Sequence, residues 1–314
     1  MEKPCVFVPP GCIRSLMLLL FIYGASVAEG RTQTVDSLLE QASAAEARED
    51  YQRAAELYLS AQAKTGGELA LFYAAARDLV LAGETDRAFD VLGRALDAGM
   101  VLHEFFERDT VFLELPLSDD WVSLRERARV QAESLDEDLR RELTSFAKAD
   151  QANRAGLPRV FAEYGHDSPE ADSALAAMTA ADDPIQKRLR EIIEERGWPP
   201  RSLVGDDGSH AAWLLVQHSD SVYQRRVLPA LAEAVQRGEA RGADLAYLTD
   251  RVRQNMGLPQ LYGTQVQWSD ELETWEPYPI EDPEGVEGRR KEVGLEPLSE
   301  YLVRLRSIFQ SGGT

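Results

Sequence analysis

Two of the four histidines, His210 and His218, lie close together in a stretch that reads as one short helix; His103 and His166 stand alone. An eight-residue separation on an α-helix puts two side chains about 80 degrees apart and two turns distant. Two ligands of one metal prefer adjacent turns, as in His-x-x-x-His. With no third histidine or cysteine near in sequence, no metal site is expected. His218 is the sharper residue. It ends the helix, where the dipole favours an imidazolium, with Gln217 beside it and Asp220 within reach of its ring. A histidine held by a carboxylate works as general acid or base near neutral pH. The plainer reading is a helix-end histidine that satisfies its own last carbonyls.

Further along, Asp250 and Arg251 lie on the polar side of a helix whose Leu245, Leu248 and Val252 face a core. Asp250 is the candidate catalytic partner of His218. Tyr262 and Gln265 flank Gly263, which lets the backbone turn or come close to a ligand. They supply directional hydrogen bonds without charge and could polarise a carbonyl or phosphoryl oxygen. Asp150 and Gln151, at the end of an earlier helix, could face the same pocket. The candidate ligand-binding set is therefore Gln217, Arg251, Tyr262, Gln265, Asp150 and Gln151. Gly205-Asp206-Asp207-Gly208-Ser209 precedes the histidine helix and reads as a solvated turn; its aspartates argue against phosphate. No nucleophile elbow, phosphate-binding loop, dinucleotide fingerprint or zincin motif is present. No cofactor is expected.

The elements that must position these groups are mostly helices. Apolar spacing predicts helices over 135–154 and 185–196, with a turn-rich stretch from 156 to 183 between them. Ser209 can cap the histidine helix. Ser221 and Gln224 have capping-box spacing for the next helix, which Pro229 should kink. Residues 243–256 form another, closed by Gly257 and Pro259. The period then changes to alternation over 263–268 and 274–278, which predicts a small β-hairpin with its turn at 269–273. A last helix is expected over 297–308.

Upstream, residues 34–99 repeat at an offset of 34: Ala54 aligns with Ala88, Tyr58 with Leu92, Ala61 with Ala95. That is the tetratricopeptide (TPR) period. Alanines at these positions let antiparallel helices approach closely. Gly66-Gly67 and Gly83 fall in the turns. Residues 100–132, with Phe106, Phe112 and Trp121, should cap the array. Two repeats make a small concave face, so a rigid spacer or a dimerisation surface is favoured over a docking groove for a protein or peptide partner. Lys3 and Arg14 before the apolar run 16–23, then Ser26-Val27-Ala28, read as a signal peptide over 1–28, the alternative being an uncleaved N-terminal anchor. Export to a periplasm or the outside is expected, without membrane insertion after cleavage. Cys5 and Cys12 both lie in this leader, so the remainder carries no thiol chemistry. The formal net charge of −20 repels phosphate backbones and excludes unaided nucleic-acid binding.

The run Ala211-Ala212-Trp213-Leu214-Leu215-Val216-Gln217-His218, the segment Leu245-Ala246-Tyr247-Leu248-Thr249-Asp250-Arg251, the block Gln260-Leu261-Tyr262-Gly263-Thr264-Gln265 and the ending Arg290-Lys291-Glu292-Val293-Gly294-Leu295 together resemble a bacterial domain family of unknown function, often joined to TPR repeats. The resemblance covers roughly residues 135–305 and implies a fold family without an established activity. It gives Gln217 and His218 added weight as functional residues. The expected architecture is mainly α: a leader over 1–28, TPR-like hairpins over 29–99, a capping connector over 100–132, and a separate helical domain with a small β-hairpin over 133–314. Three functions compete. One is a binding protein of the cell envelope with a polar ligand site. The second is a hydrolase or lyase using His218 as general acid or base with Asp250. The third is a structural spacer.

Overall fold

The computed structural model describes residues 35–65, 68–269 and 274–311. The leader and the turn at Gly66-Gly67 lie outside them, as does the tip of the predicted hairpin turn.

Four helices open the described chain: α1 (Val35–Glu46), α2 (Tyr51–Gln62), α3 (Ala70–Leu81) and α4 (Thr85–Asp97). Each packs on the next. Ala42, Ala45, Ala54 and Ala61 are fully buried between them, with Leu38 and Leu57 filling the adjoining layer. Asp50 caps α2 by accepting from the Arg53 amide, and Gly83 takes a positive φ of 80° in the turn before α4. Two one-turn helices, α5 (His103–Phe106) and α6 (Thr110–Leu113), lead into α7 (Asp119–Ser134). Phe106 meets Phe112 and Trp121 edge to face, Phe112 stacks on Trp121, and the three close the apolar face of α3 and α4.

Asp78 on α3 breaks the apolar pattern. It is fully buried and neither carboxylate oxygen has a hydrogen-bond partner. Burial first, then repulsion from Glu46, raises its pKa to about 7 against the pull of Arg77. The folded state therefore holds a proton that the unfolded state releases near its ordinary value of 3.8. Stability from this group is present below that value and is lost as pH rises towards 7. Asp78→Leu is expected to stabilise the chain by roughly 1–3 kcal/mol at pH 8 and to have little effect at pH 4. Urea melts at both pH values check this; a loss of stability at pH 8 would show that the carboxylate has a partner.

The second half comprises α8 (Glu137–Arg154), α9 (Leu157–Tyr164), α10 (Pro169–Arg196), α11 (Arg201–Gln217), α12 (Ser221–Gln236) and α13 (Gly242–Asn255), then β1 (Val266–Ser269), β2 (Thr274–Pro277), α14 (Val286–Glu292) and α15 (Leu298–Ser311). The strands pair antiparallel, with Val266 opposite Pro277 and Trp268 opposite Trp275. One core unites α8, α10, α11, α12 and α13 through Leu143, Leu189, Ile192, Val216, Leu231 and Leu248.

Two stretches of this half differ from the sequence expectation. The stretch 156–183 is helical, not turn-rich: Ser168 caps α10 by accepting from the Ala171 amide, Pro169 opens it, and the helix runs through Pro184. Its first half buries few residues, so no apolar period announced it. Nor is Gly205–Ser209 a solvated turn. Gly205, at φ 70°, breaks α11 once, and a Cβ there would press on the Val101 side chain at 2.8 Å. Asp206 is buried, pairs with Arg201 at 2.9 Å and with Arg241, and donates its backbone N–H to the Gly99 carbonyl at 2.9 Å. The glycine break thus joins the helical domain to the end of α4.

Candidate functional site

The C-terminus of α11 delivers Gln217 and His218 into the core. The last turn of α8 brings Asp150 against the ring, with Asp150 Oδ2 2.7 Å from His218 Nδ1. Arg154, one turn further along α8, lies 2.6 Å from Asp150 Oδ1 and 2.6 Å from Asp182 on α10. Asn153 donates to the other oxygen of Asp182, and Gln151 Nε2 donates to Asp150 Oδ2. A buried chain therefore runs Asp182–Arg154–Asp150–His218, assembled from three helices. The His218 side chain is 4% exposed.

A carboxylate facing Nδ1 accepts a hydrogen bond from the Nδ1–H, so the neutral ring presents Nε2 as an acceptor. Nε2 has no hydrogen-bond partner among the described residues. Burial is the main influence on the ring and pushes its pKa down. Asp150 pulls it up, and Arg154 and Arg251 push it down again. The unfolded chain then takes a proton near 6.5 that the folded chain refuses. Stability from His218 is present above 6.5 and is lost as pH falls towards the lower folded value. In an NMR titration the His218 ring is expected to stay neutral at pH 6.5; a midpoint above 6.5 contradicts this electrostatic balance.

Arg251 on α13 donates from Nη1 to the Gln217 carbonyl at 2.9 Å, a carbonyl that also accepts from Gln224 Nε2 at 2.9 Å. Arg251 is only 4% exposed and has no carboxylate within ion-pair distance among the described residues. Desolvation lowers its pKa to about 10. The Gln217 side chain is 1% exposed, and neither its oxygen nor its nitrogen makes a hydrogen bond. Buried amides are nearly always partnered, so this one is exceptional.

The structure thus gathers His218, Asp150, Gln151, Gln217 and Arg251. It does not bring Asp250, Tyr262 or Gln265 to the ring through any hydrogen bond among the described residues. Asp250 accepts from the backbone amides of Leu261 (2.7 Å), Tyr262 (3.1 Å) and Thr264 (2.9 Å) and from the Thr264 hydroxyl (2.9 Å). Its carboxylate holds the loop before β1, so the expected His218–Asp250 pair gives way to His218–Asp150. Tyr262 takes part through its backbone, its carbonyl accepting from Arg290 at 2.6 Å. Gln265 donates to the Thr264 hydroxyl, and its backbone is clasped by Gln260. Asp220 does not orient His218 either: it caps α12 through the Val222 and Tyr223 amides and pairs with Arg190. Ser221 yields the capping role to it, and Gln224 reaches back to the end of α11.

A second histidine–carboxylate pair lies nearer the surface. His210 Nδ1 is 3.0 Å from Asp244 Oδ2, and the ring stacks on Trp213 at 4.8 Å. The i, i+3 spacing of His210 and Trp213 signals that stacking; nothing in the sequence links His210 to Asp244, which lies on α13. His166 stacks on Phe161 at 4.5 Å. A cleft of about 390 Å³ lies away from His218, lined by Tyr73, Val101, Phe105, Arg108, Asp109 and Arg140 at the junction of the two halves.

A family model described as a family of unknown function, DUF6624, matches residues 137–311. The match begins at α8 and takes in every residue of the His218 cluster. The chain belongs to this family. No curated protein and no solved structure matches it.

Proposed function

We propose that this is an exported binding protein whose helical domain holds a small polar ligand at Gln217, His218 and Arg251, with Asp150 and Gln151 fixing the ring from behind. The observation that carries the reading is the Gln217 amide, buried with both polar atoms unpartnered. An unmade buried hydrogen bond costs roughly 1–3 kcal/mol. A bound molecule that hydrogen-bonds the amide would recover that cost. The four opening helices act as a TPR-like spacer or dock a protein partner.

Gln217→Met tests this. Methionine has a similar shape without the amide, so the variant is expected to melt at or above the wild-type temperature. In a thermal-shift panel of amino acids, dicarboxylates and sugars, one class should raise the wild-type melting temperature and leave the variant unmoved. A strongly destabilised variant, or a panel in which nothing separates the two proteins, removes the reading.

The His218–Asp150 contact favours a second reading, in which the same ligand is a substrate of a hydrolase or lyase and His218 Nε2 is the general base. Product formation abolished by His218→Ala with ligand binding retained would establish it.

A further inference from the structure

Arg251 stands apart from the other buried arginines. Arg154 faces Asp150 and Asp182, Arg241 faces Asp206, and Arg304 faces Glu296. Arg290 lacks a carboxylate but donates to the carbonyls of Tyr262 and Glu296. Arg251 donates once, to a carbonyl that Gln224 already satisfies. A helix-end cap therefore does not account for a guanidinium at this position. A buried, uncompensated cation is costly and is stabilised by an anion brought to it. Its Nε and Nη2 have no partner among the described residues and, unlike the Gln217 amide, are not sealed from solvent.

We infer that Arg251 and the Gln217 side chain form the receptor for a carboxylate group on the ligand, held beside the His218 ring. This rests on the polar-ligand reading above and names the ligand's chemical class. Guanidinium and amide N–H groups present donors in the planar arrangement that two carboxylate oxygens accept. Charge balance selects a monoanion. Arg154 and Arg251 oppose Asp150 and Asp182 around a neutral ring, so the cluster's own charges sum to zero. One carboxylate adds one negative charge, which a single proton on His218 can offset. A phosphate dianion would leave an excess charge facing Asp150.

The test uses the full chain and three probes at matched ionic strength: acetate, its neutral counterpart acetamide, and inorganic phosphate. Melting temperature and the His218 ring resonances are followed together. Acetate is expected to bind about fivefold more tightly than acetamide, because hydrogen bonds to a charged group are worth about 1 kcal/mol more than neutral ones. It should also raise the His218 titration midpoint, and phosphate should bind no better. Arg251→Gln should erase the preference of acetate over acetamide, and Arg251→Lys should keep part of it. If Arg251→Gln does not fold, the wild-type comparison and the lysine variant decide. Equal binding of acetate and acetamide, both lost in Gln217→Met, overturns the carboxylate inference and leaves the polar-ligand reading standing. No response to any probe overturns both. A carboxylate can belong to a small acid or to a peptide chain end. N-acetylglycine binding more tightly than acetate assigns the chain end; equal or weaker binding assigns the small acid.

Discussion

Replacing Arg154 with methionine is expected to destabilise the helical domain by about 3–5 kcal/mol at pH 8, the usual cost of breaking a buried ion pair from one side. Arg154 is 6% exposed and pairs with two carboxylates, themselves buried, across the α8–α10 contact. It also donates to the Asp150 carbonyl at 2.8 Å. Methionine fills much of the volume and supplies none of this. The remaining partners, Asn153 on Asp182 and Gln151 on Asp150, are neutral. Only His218 can bring a compensating charge, and losing Arg154 removes one of the influences holding its pKa down. The variant should therefore recover stability as pH falls from 8 to 6, against the direction His218 imposes on the wild type. Urea denaturation at the two pH values reads both effects. Adding Asp182→Leu should restore part of the loss, because a carboxylate stranded by the first change is then removed. A loss below about 1 kcal/mol would place the cluster among solvated surface ion pairs and undo the argument.

Asp250→Asn should cost a comparable amount, about 3–5 kcal/mol, although asparagine has nearly the same shape. Four donors converge on the two carboxylate oxygens. An amide group turns one of those oxygens into a competing donor, so at least one backbone N–H is left buried without an acceptor. The loop cannot easily relax around the defect. Gly263 holds a φ of 71° with Leu298 and Ile280 packed so tightly that a Cβ would lie 2.9 Å and 3.1 Å from them. Thr264 is anchored on its other side, its carbonyl accepting from Tyr301 Oη at 2.7 Å. Amide hydrogen exchange should accelerate at Leu261, Tyr262 and Thr264. The His218 titration midpoint should stay where it is, which separates a loop clamp from a member of the histidine dyad. A midpoint shifted by about a full unit would return Asp250 to the role its place in the sequence suggested.

Much of this protein is legible without its structure. Alanines at a fixed spacing announce the opening helical hairpins, because only a small side chain lets two helix backbones approach closely. The change to alternation after Gly263 announces the hairpin, because successive strand residues face opposite ways. The placement of Gln217 and His218 is also visible, in a polar pair that ends an otherwise apolar helix. Local patterns report on local structure, and these are local.

The partner of His218 is not. Asp220 and Asp250 are as plausible in sequence as Asp150, which lies 68 positions away. The choice is made by where α8, α10 and α11 cross, and that is decided by the shared core of Leu143, Leu189 and Val216. The first half of α10 is hidden for the opposite reason: it buries so little that no period marks it, yet it carries Asp182 to Arg154. Whether a charge is paired or left alone is likewise a property of packing. Asp250 and Arg251 are neighbours in the chain, on the polar side of one helix. In the fold they take different tasks, the carboxylate holding a loop and the guanidinium donating to the Gln217 backbone carbonyl with no carboxylate beside it among the described residues. Sequence determined which side chains were available; only the tertiary structure decided which of them were left without partners, because a hydrogen bond across helices depends on coordinates that no spacing along one helix encodes.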